Sequence, residues 1–510
     1  GLDEVLMGGV PRHNNLIVEG APGSGKTTLG LGFIHAGAAL YGEPGAIISF
    51  ELDPQKLLRD AAGFNWPMQE LIDAGKIKII QTSPAVLLNE FRSPDGVLSS
   101  MLQEMGAKRL LIDGLTPIRL YAELNDMAFR EDVHLLIDGL TRLGVTTMVT
   151  AEQDEGMKEV YPHERFVFDT IISLQREEKR RRVHRRLTVL KSRGQEFIVG
   201  SHTMRIEKGV GIHVYRRAQS RAGGSDDQPT STKRLSIGSA SIDDMMDGGV
   251  YEGSVTMVTG ISGTGKTVLG VQFLTSAIKA GHKALMVSLD EHPRQLIRNA
   301  ASLGFKLQAD IDAGNLFIEY ESPLELELDV HFDRIVKLVE EHNIDCVVFD
   351  SVAVYEMTSR EEVADYLYAL ATFFKDRLAT ILFNYESPEL LGISQISEEL
   401  KGSHLVDNII LLNYVEVSTL LRRAIAVPKV RGSRNRQVTR EYVIAPGGIQ
   451  LVDDEVQVAD QAGTVPQLPF SSYYGLLSRS PSRTSPSIEV AVAQGKELPE
   501  SVDLPIEPTS

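Results

Sequence analysis

The sequence predicts the α/β fold class: two tandem domains of one design, each a mainly parallel sheet flanked by helices, followed by a disordered C-terminal tail. Three observations predict it. One stretch of the chain recurs about 240 residues further on, short apolar runs alternate with longer helical patterns, and the composition changes abruptly at two places. Continuously apolar strands set between helices imply a sheet covered on both faces, which is the parallel arrangement.

The repeat comes first, because it fixes the number of domains. Gly20 to Thr27 reads GAPGSGKT, and Gly260 to Thr267 reads GISGTGKT. Gly8-Gly9-Val10 precedes the first stretch and Gly248-Gly249-Val250 the second. Downstream, Gln55 to Ala62 matches Arg294 to Ala301, Phe168 to Ile172 matches Val406 to Ile410, and Lys191 to Gly194 matches Lys429 to Gly432. The spacing stays close to that of the Gly-rich stretches, so one domain has been duplicated. A chain of 510 residues also exceeds one ordinary core, at about 150 residues per domain. The expected boundaries are 1–217 for the first domain, 218–233 for a linker, 234–458 for the second domain and 459–510 for the tail. The linker is rich in Gly, Ser, Asp and Pro and buries no apolar face. The tail is rich in Pro and Ser and shows little periodicity.

Within each copy, Asn15 to Glu19 and Ser254 to Val258 are expected strands running into the Gly-rich stretches. Leu110-Leu111-Ile112 and Val347-Val348-Phe349 are expected strands ending in Asp113 and Asp350.

Bulk composition narrows the function classes. Hydrophobic residues make up 42% and charged residues 24%, both ordinary globular values. A net charge of −17 disfavours binding to bulk nucleic acid or to an anionic membrane, though it leaves room for a local basic groove. No apolar run approaches the length of a membrane span, and the first residues lack the pattern of a signal peptide. The chain starts without Met, so the start is read as trimmed. The single cysteine, Cys346, sits in an apolar run and reads as a small buried residue. A cytoplasmic location is the expectation.

The Gly-rich stretches carry the chemistry. The pattern G-x-x-x-x-G-K-[ST] after a strand turns backbone N–H groups around a phosphate, and the helix that follows adds its positive end. Gly20, Gly23, Ser24, Gly25, Lys26, Thr27 and Thr28 form the first candidate ATP-binding loop. Gly260, Gly263, Thr264, Gly265, Lys266, Thr267 and Val268 form the second. The lysines are expected to reach the β/γ-phosphates, and Thr27 and Thr267 to ligate Mg²⁺. Asp113 and Asp350 occupy the strand-end position that orients the Mg²⁺ shell. Hydrolysis also needs a base for water. Glu51 follows the apolar run Ala46 to Phe50, and Asp290-Glu291 follows Leu285 to Leu289; the alternative for these acids is helix capping. Lys191, Arg193, Lys429 and Arg431 lie on late strands, read either as solvated edge strands or as contacts to a nucleotide on a neighbouring subunit.

With these pieces in place the sequence resembles the KaiC family of RecA-like P-loop ATPases and autokinases. The resemblance rests on Gly8-Gly9-Val10 before Gly20 to Thr27, on Phe50 to Pro54, on Thr188 to Gly194 and on Asp407 to Glu416, and it covers about residues 1–455. It implies two RecA-like domains per subunit, a hexamer with ATP and Mg²⁺ at subunit interfaces, and regulatory protein partners of the KaiB or signalling type. It also implies that Lys191/Arg193 and Lys429/Arg431 touch the neighbour's ATP, and that Arg423 holds a nucleotide-contacting position. The sequence departs from the family pattern at two points. Leu52 replaces the second acid of the first domain, while the second domain keeps Asp290 and Glu291. Of the family's Ser-Thr phosphoacceptor pair only Ser403 is present, because His404 follows it, which rules out a two-site phosphorylation cycle.

The functional expectation is a KaiC-like ATP-hydrolysing protein with a Ser403 autokinase activity, acting in signalling or timing. One competing expectation is a DNA-dependent motor of the RecA or DnaB kind. The basic run Lys179 to Arg186 is its best support, but it reads as a solvated hairpin without aromatic residues to stack bases. The other is a nucleotide-dependent interaction platform with little turnover.

Overall fold

The structure, a computed structural model, describes residues 1–92, 96–122, 125–153, 164–179, 182–218, 229–357, 360–387, 405–417, 420–433 and 438–452. Ser403, the expected tail and most of the expected linker lie outside the described residues. No helix among the described residues is long and apolar enough to cross a membrane.

The first half contributes β1 (Asn15–Gly20), β2 (Gly45–Ser49), β3 (Ile77–Gln81), β4 (Arg109–Asp113), β5 (Thr146–Glu152), β6 (Thr170–Lys179), β7 (Arg182–Ser192), β8 (Ser201–Glu207) and β9 (Gly211–Tyr215). A short ribbon pairs β10 (Arg234–Leu235) with β11 (Val250–Tyr251). The second half contributes β12 (Val255–Gly260), β13 (Ala284–Ser288), β14 (Leu316–Tyr320), β15 (Cys346–Asp350), β16 (Thr380–Glu386), β17 (Asn408–Val417), β18 (Leu420–Val430), β19 (Thr439–Ala445) and β20 (Gly448–Leu451).

The two halves form nine-stranded sheets of the same order, β3-β2-β4-β5-β1-β6-β7-β8-β9 and β14-β13-β15-β16-β12-β17-β18-β19-β20. The strands are parallel through β6 and β17, and antiparallel from β7 and β18 onward. Parallel neighbours need long crossovers, and helices such as Lys26–Leu40 and Lys266–Lys279 supply them. Central strands bury both faces. In β1, Leu16 and Val18 join one apolar cluster while Ile17 joins the other. In β12, Val255 and Met257 face one way and Val258 the other. Cys346 is a buried free thiol at the start of β15, and burial pushes its pKa up. The Gly-Gly-Val stretches end short helices: the N–H groups of Gly8 and Gly9 bond to the Asp3 carbonyl, and those of Gly248 and Gly249 to the Asp243 carbonyl.

Polar contacts tie the two halves together along β7 and β8. Arg205 and His184 both reach Glu327, Arg217 bonds Asp365 at 2.8 Å, and Arg182 and Arg186 face Glu325 and Glu362. The basic run is therefore not the solvated hairpin its sequence suggests. Its Arg182, His184 and Arg186 answer an acidic face of the second domain, whose own sequence position gave no hint of this neighbour. Asp329 is the most buried member, 9% exposed. Its carboxylate accepts from the Thr203 N–H at 3.2 Å, the Thr203 hydroxyl at 2.7 Å and the Ala218 N–H at 3.2 Å.

Replacing Asp329 by Ala takes away the acceptor shared by those donors; they border an open cavity between the halves that water can enter, so the cost is expected toward the low end of about 1–3 kcal/mol for each unmet group. Asp329→Ala is thus expected to lower the urea midpoint of the chain and to separate the unfolding of the halves in calorimetry. An unchanged single transition would show that the seam does not couple them.

Candidate functional site

The carboxyl ends of β1, β2, β4 and β5 share one edge of the first sheet, because parallel pairing aligns Gly20 with Glu152 and Ser49 with Asp113. The same holds in the second sheet, with Gly260 beside Glu386 and Ser288 beside Asp350. Such an edge, outside the carboxyl ends of parallel strands, is where α/β sheets bind ligands. Two features shape the loops there. Gly25 and Gly265 hold φ of 111° and 98°, left-handed values that a side chain resists. Gly20 and Gly260 lie against the neighbouring strand: a Cβ on Gly260 would sit 2.1 Å from the Leu412 carbonyl oxygen.

Lys26 donates from Nζ to the Gly20 and Ala21 carbonyls at 2.7 and 3.1 Å. Lys266 does the same to Gly260 and Ile261 at 2.9 and 3.0 Å. Burial pushes both ammonium pKa values down, while Glu152 and Asp113 oppose the shift in one loop and Glu386, Asp350 and Asp290 oppose it in the other. The Thr27 hydroxyl donates to Asp113 at 3.1 Å. Thr267 bonds Asp350 in the same way, and burial raises the Asp350 carboxyl above the usual range while that bond and Lys266 pull it back. A hydroxyl and a carboxylate converging at a phosphate loop form an oxygen donor set that suits Mg²⁺, which takes few protein ligands and completes its shell with phosphate and water. No cluster of three or more His, Cys, Asp or Glu side chains placed to hold a metal occurs among the described residues.

The acids after β2 and β13 are placed differently in the two halves. Glu51 is exposed and Leu52 packs into the apolar cluster beneath it. Asp290 is exposed too, but Glu291 is partly buried. Burial raises the Glu291 carboxyl above its ordinary range, the nearby Asp350 charge adds to this, and a bond from the Asn299 amide opposes it. None of these acids caps the helix that follows. Asp53 caps Pro54–Ala62 and His292 caps Pro293–Ser302.

The basic pairs stand elsewhere. Lys191 is the penultimate residue of β7, beyond the Arg185–Thr188 stretch that pairs with β8, and bonds the Phe168 carbonyl at 2.7 Å. Arg193 bonds the Phe166 carbonyl at 3.0 Å. Lys429 bonds the Val406 carbonyl at 2.7 Å, and Arg431 meets Asp407 at 3.3 Å. Ser192 pairs with Thr170, and Thr170 with Leu16, at the opposite end of β1 from Gly20. Four residues of strand separate these levels, about 13 Å. The structure thus does not bring these four residues to their own loops. Arg423 lies nearer the second loop, its guanidinium 5.5 Å from the Tyr414 ring centre.

The structure adds Glu152 and Glu386, which sequence reasoning passed over. Each closes the strand beside its loop, and Glu386 stands 4.0 Å from Lys266. The signal was present, since an apolar strand ending in Glu occurs in both copies.

The sequence model described as the KaiC ATPase matches residues 1–219 and again 235–456. The chain belongs to the KaiC ATPase family. It is 30% identical over 502 residues to the circadian clock oscillator protein KaiC of Thermostichus vulcanus, covering 95% of this chain and 91% of that one. The KaiC of Picosynechococcus sp. is 29% identical over 515 residues, covering 98% and 93%. That of Prochlorococcus marinus subsp. pastoris is 31% identical over 474 residues, covering 89% of each chain. The family supports nucleotide binding and ATPase activity, and the paired matches agree with the two sheets.

Gly260→Ala drives a methyl group into the Leu412 carbonyl, so β12 must part from β17 at about 1–3 kcal/mol. It is expected to abolish ATP retention at the second loop, read by filter binding in a chain that also carries Lys26→Ala. Retention at the parent level would refute the close-approach argument.

Proposed function

We propose that this KaiC-type ATPase hydrolyses ATP mainly in its second domain. The observation that carries the reading is the half-buried Glu291 beside Asp350, set against Leu52 and an exposed Glu51 in the first domain. A base works best when its pKa approaches the working pH, and burial moves Glu291 in that direction. On this reading Lys26 and Lys266 bind the phosphates, Thr27 with Asp113 and Thr267 with Asp350 would hold Mg²⁺, and bound Mg²⁺ supplies charge neutralisation at the phosphates. Glu291 accepts the proton of the attacking water, Asp290 orders water in front of it, and Glu51 serves alone in the first domain.

Lys191, Arg193, Lys429 and Arg431 then complete the site of a neighbouring subunit in a hexamer of this chain. Their distance from their own loops supports that role, and light scattering with and without ATP tests it: a mass that stays at one chain refutes it. The reading extends to cytoplasmic signalling or timing with regulatory protein partners, and its support is the family likeness. Autophosphorylation at Ser403 is the finest part of the reading. Its support is the position of Ser403 four residues before Asp407 in the matched stretch, and γ-labelled ATP followed by peptide mapping tests it. Arg182, His184 and Arg186 of the basic run answer acids of the second domain, which speaks against a DNA motor.

Lys266→Ala is expected to remove most phosphate release and Lys26→Ala a minor part. Glu291→Gln should lower release about 10²-fold, a usual share for a general base, and Asp290→Asn less. Because the base acts deprotonated and its pKa is raised, the rate of the Lys26→Ala chain should climb with pH above the ordinary carboxylate range. A flat profile, or equal losses for the two lysine variants, would defeat the assignment; no release by the parent chain would favour a nucleotide-dependent platform.

A further inference from the structure

Two tyrosines stand behind the second loop. Tyr414 on β17 donates its hydroxyl to the Gly263 carbonyl at 2.8 Å, and Tyr442 on β19 donates to the Thr264 carbonyl at 2.5 Å. Arg423 lies between them on β18, paired in register with both. Its guanidinium sits over the Tyr414 ring. Tyr442 is 1% exposed, and burial raises its pKa, so it stays a donor throughout the working range.

The first domain repeats the register without the hydroxyls. There Arg185 takes the place of Arg423 and pairs with Arg176 and Met204. A Cβ on Gly23 would meet nothing within 4 Å, whereas one on Gly263 would meet the Tyr414 hydroxyl at 3.3 Å. Around Gly25 the nearest neighbours are the apolar side chains of Ile206, Ile212 and Met204.

A trans peptide is planar, with C=O and N–H pointing in opposite directions. A hydroxyl that holds the Gly263 carbonyl outward aims the Thr264 N–H inward, and one that holds the Thr264 carbonyl does the same for the Gly265 N–H. A hydrogen bond accepted by the carbonyl also strengthens the N–H of the same amide as a donor. These two N–H groups belong to the turn that a phosphate would occupy.

We propose that Tyr414 and Tyr442 are positioning residues that preorganise the second loop for the nucleotide phosphates, and that the first loop, with Arg176 and Met204 in their places, must be ordered by the nucleotide itself. This rests on nucleotide binding at the second loop. Preorganisation lowers the cost of binding without adding a contact to the ligand.

The test uses the full chain carrying Lys26→Ala, so that a fluorescent ATP analogue reports the second loop. Binding by this parent chain tests the underlying reading; if it fails, that reading falls and not the clamp. Given binding, Tyr414→Phe, Tyr442→Phe and the pair remove hydroxyls and leave the rings. Each is expected to raise Kd about five- to tenfold, with the pair larger, since one net hydrogen bond is at stake in each. The Tm of the nucleotide-free chain should move little for Tyr414→Phe, which keeps the half-buried ring and removes only an exposed hydroxyl bond. The same substitutions in a chain carrying Lys266→Ala should leave binding at the first loop unchanged. Unchanged Kd values at the second loop overturn the proposal, and so does an equal loss at both loops, which would mark general destabilisation.

Discussion

The parallel pairing of β1 with β5 and β6, and of β12 with β16 and β17, is the constraint on which the rest of the molecule depends. A parallel register delivers the carboxyl ends of neighbouring strands to one edge. That edge then collects a loop of backbone donors, a lysine, a threonine and two acids from segments far apart in sequence. It also fixes what does not belong there. The antiparallel strand β7 passes the loop level at Leu187 and runs on toward the other side of the sheet, so strand pairing carries Lys191 away from Gly20 just as it brings Asp113 close to Thr27.

Duplication supplies two such edges with different chemistry. Both retain the lysine, the threonine and the strand-end Asp. They differ in the acids after the second strand and in the residues behind the loop. In the second domain a carboxyl is half-buried beside another carboxylate, and two hydroxyls hold the loop's carbonyls. In the first domain the matching positions are Leu52, Arg176 and Met204, which pack or point to solvent. Each difference acts in the same direction, toward a second site organised before its ligand arrives and a first site that depends on it. A loop with more freedom loses more entropy on closing around phosphate.

Much of this was legible in the sequence, for physical reasons that can be named. The phosphate loop is a local pattern, in which steric and φ requirements fall on residues within eight positions, so Gly20 to Thr27 and Gly260 to Thr267 announce themselves. The strand-end acids Asp113 and Asp350 were readable because continuous apolar runs stop at them. The acids Glu152 and Glu386 carry the same signal, yet their importance comes from β5 and β16 lying beside the loop strand, which is a matter of strand order. The partners of Arg182, His184 and Arg205 were invisible for a similar reason. Those partners sit on the other domain, more than a hundred residues away, and charge patterning along one segment says nothing about which surface answers it. The tyrosine hydroxyls behind the second loop were hidden as well, since their targets are backbone carbonyls, which every sequence has.

The strand β7 joins these threads. One end of it, through Arg182, His184 and Arg186, is held against acids of the second domain, and the other carries Lys191. If Lys191 and Arg193 serve a neighbour's nucleotide, as proposed here, then one strand spans the contact between domains and the contact between subunits. β7 is hydrogen-bonded on both sides over Arg185–Thr188 and its pairing with β6 is irregular between Val189 and Lys191, so a displacement at one end would reach the other through that short doubly paired stretch. The nucleotide state at a first-domain interface would then bear on the seam at Glu327 and Asp329, and through the helix Leu328–His342 on Glu319 and Glu321, which Arg334 of that helix holds at the end of β14. Since β14 pairs with β13, and β13 leads to Asp290 and Glu291, the two sites are joined by packed elements throughout. Coupling in that direction requires the seam to have two arrangements of similar energy. Its make-up suits this, because ion pairs at partial exposure cost little to exchange, while the buried Asp329 keeps the domains from parting.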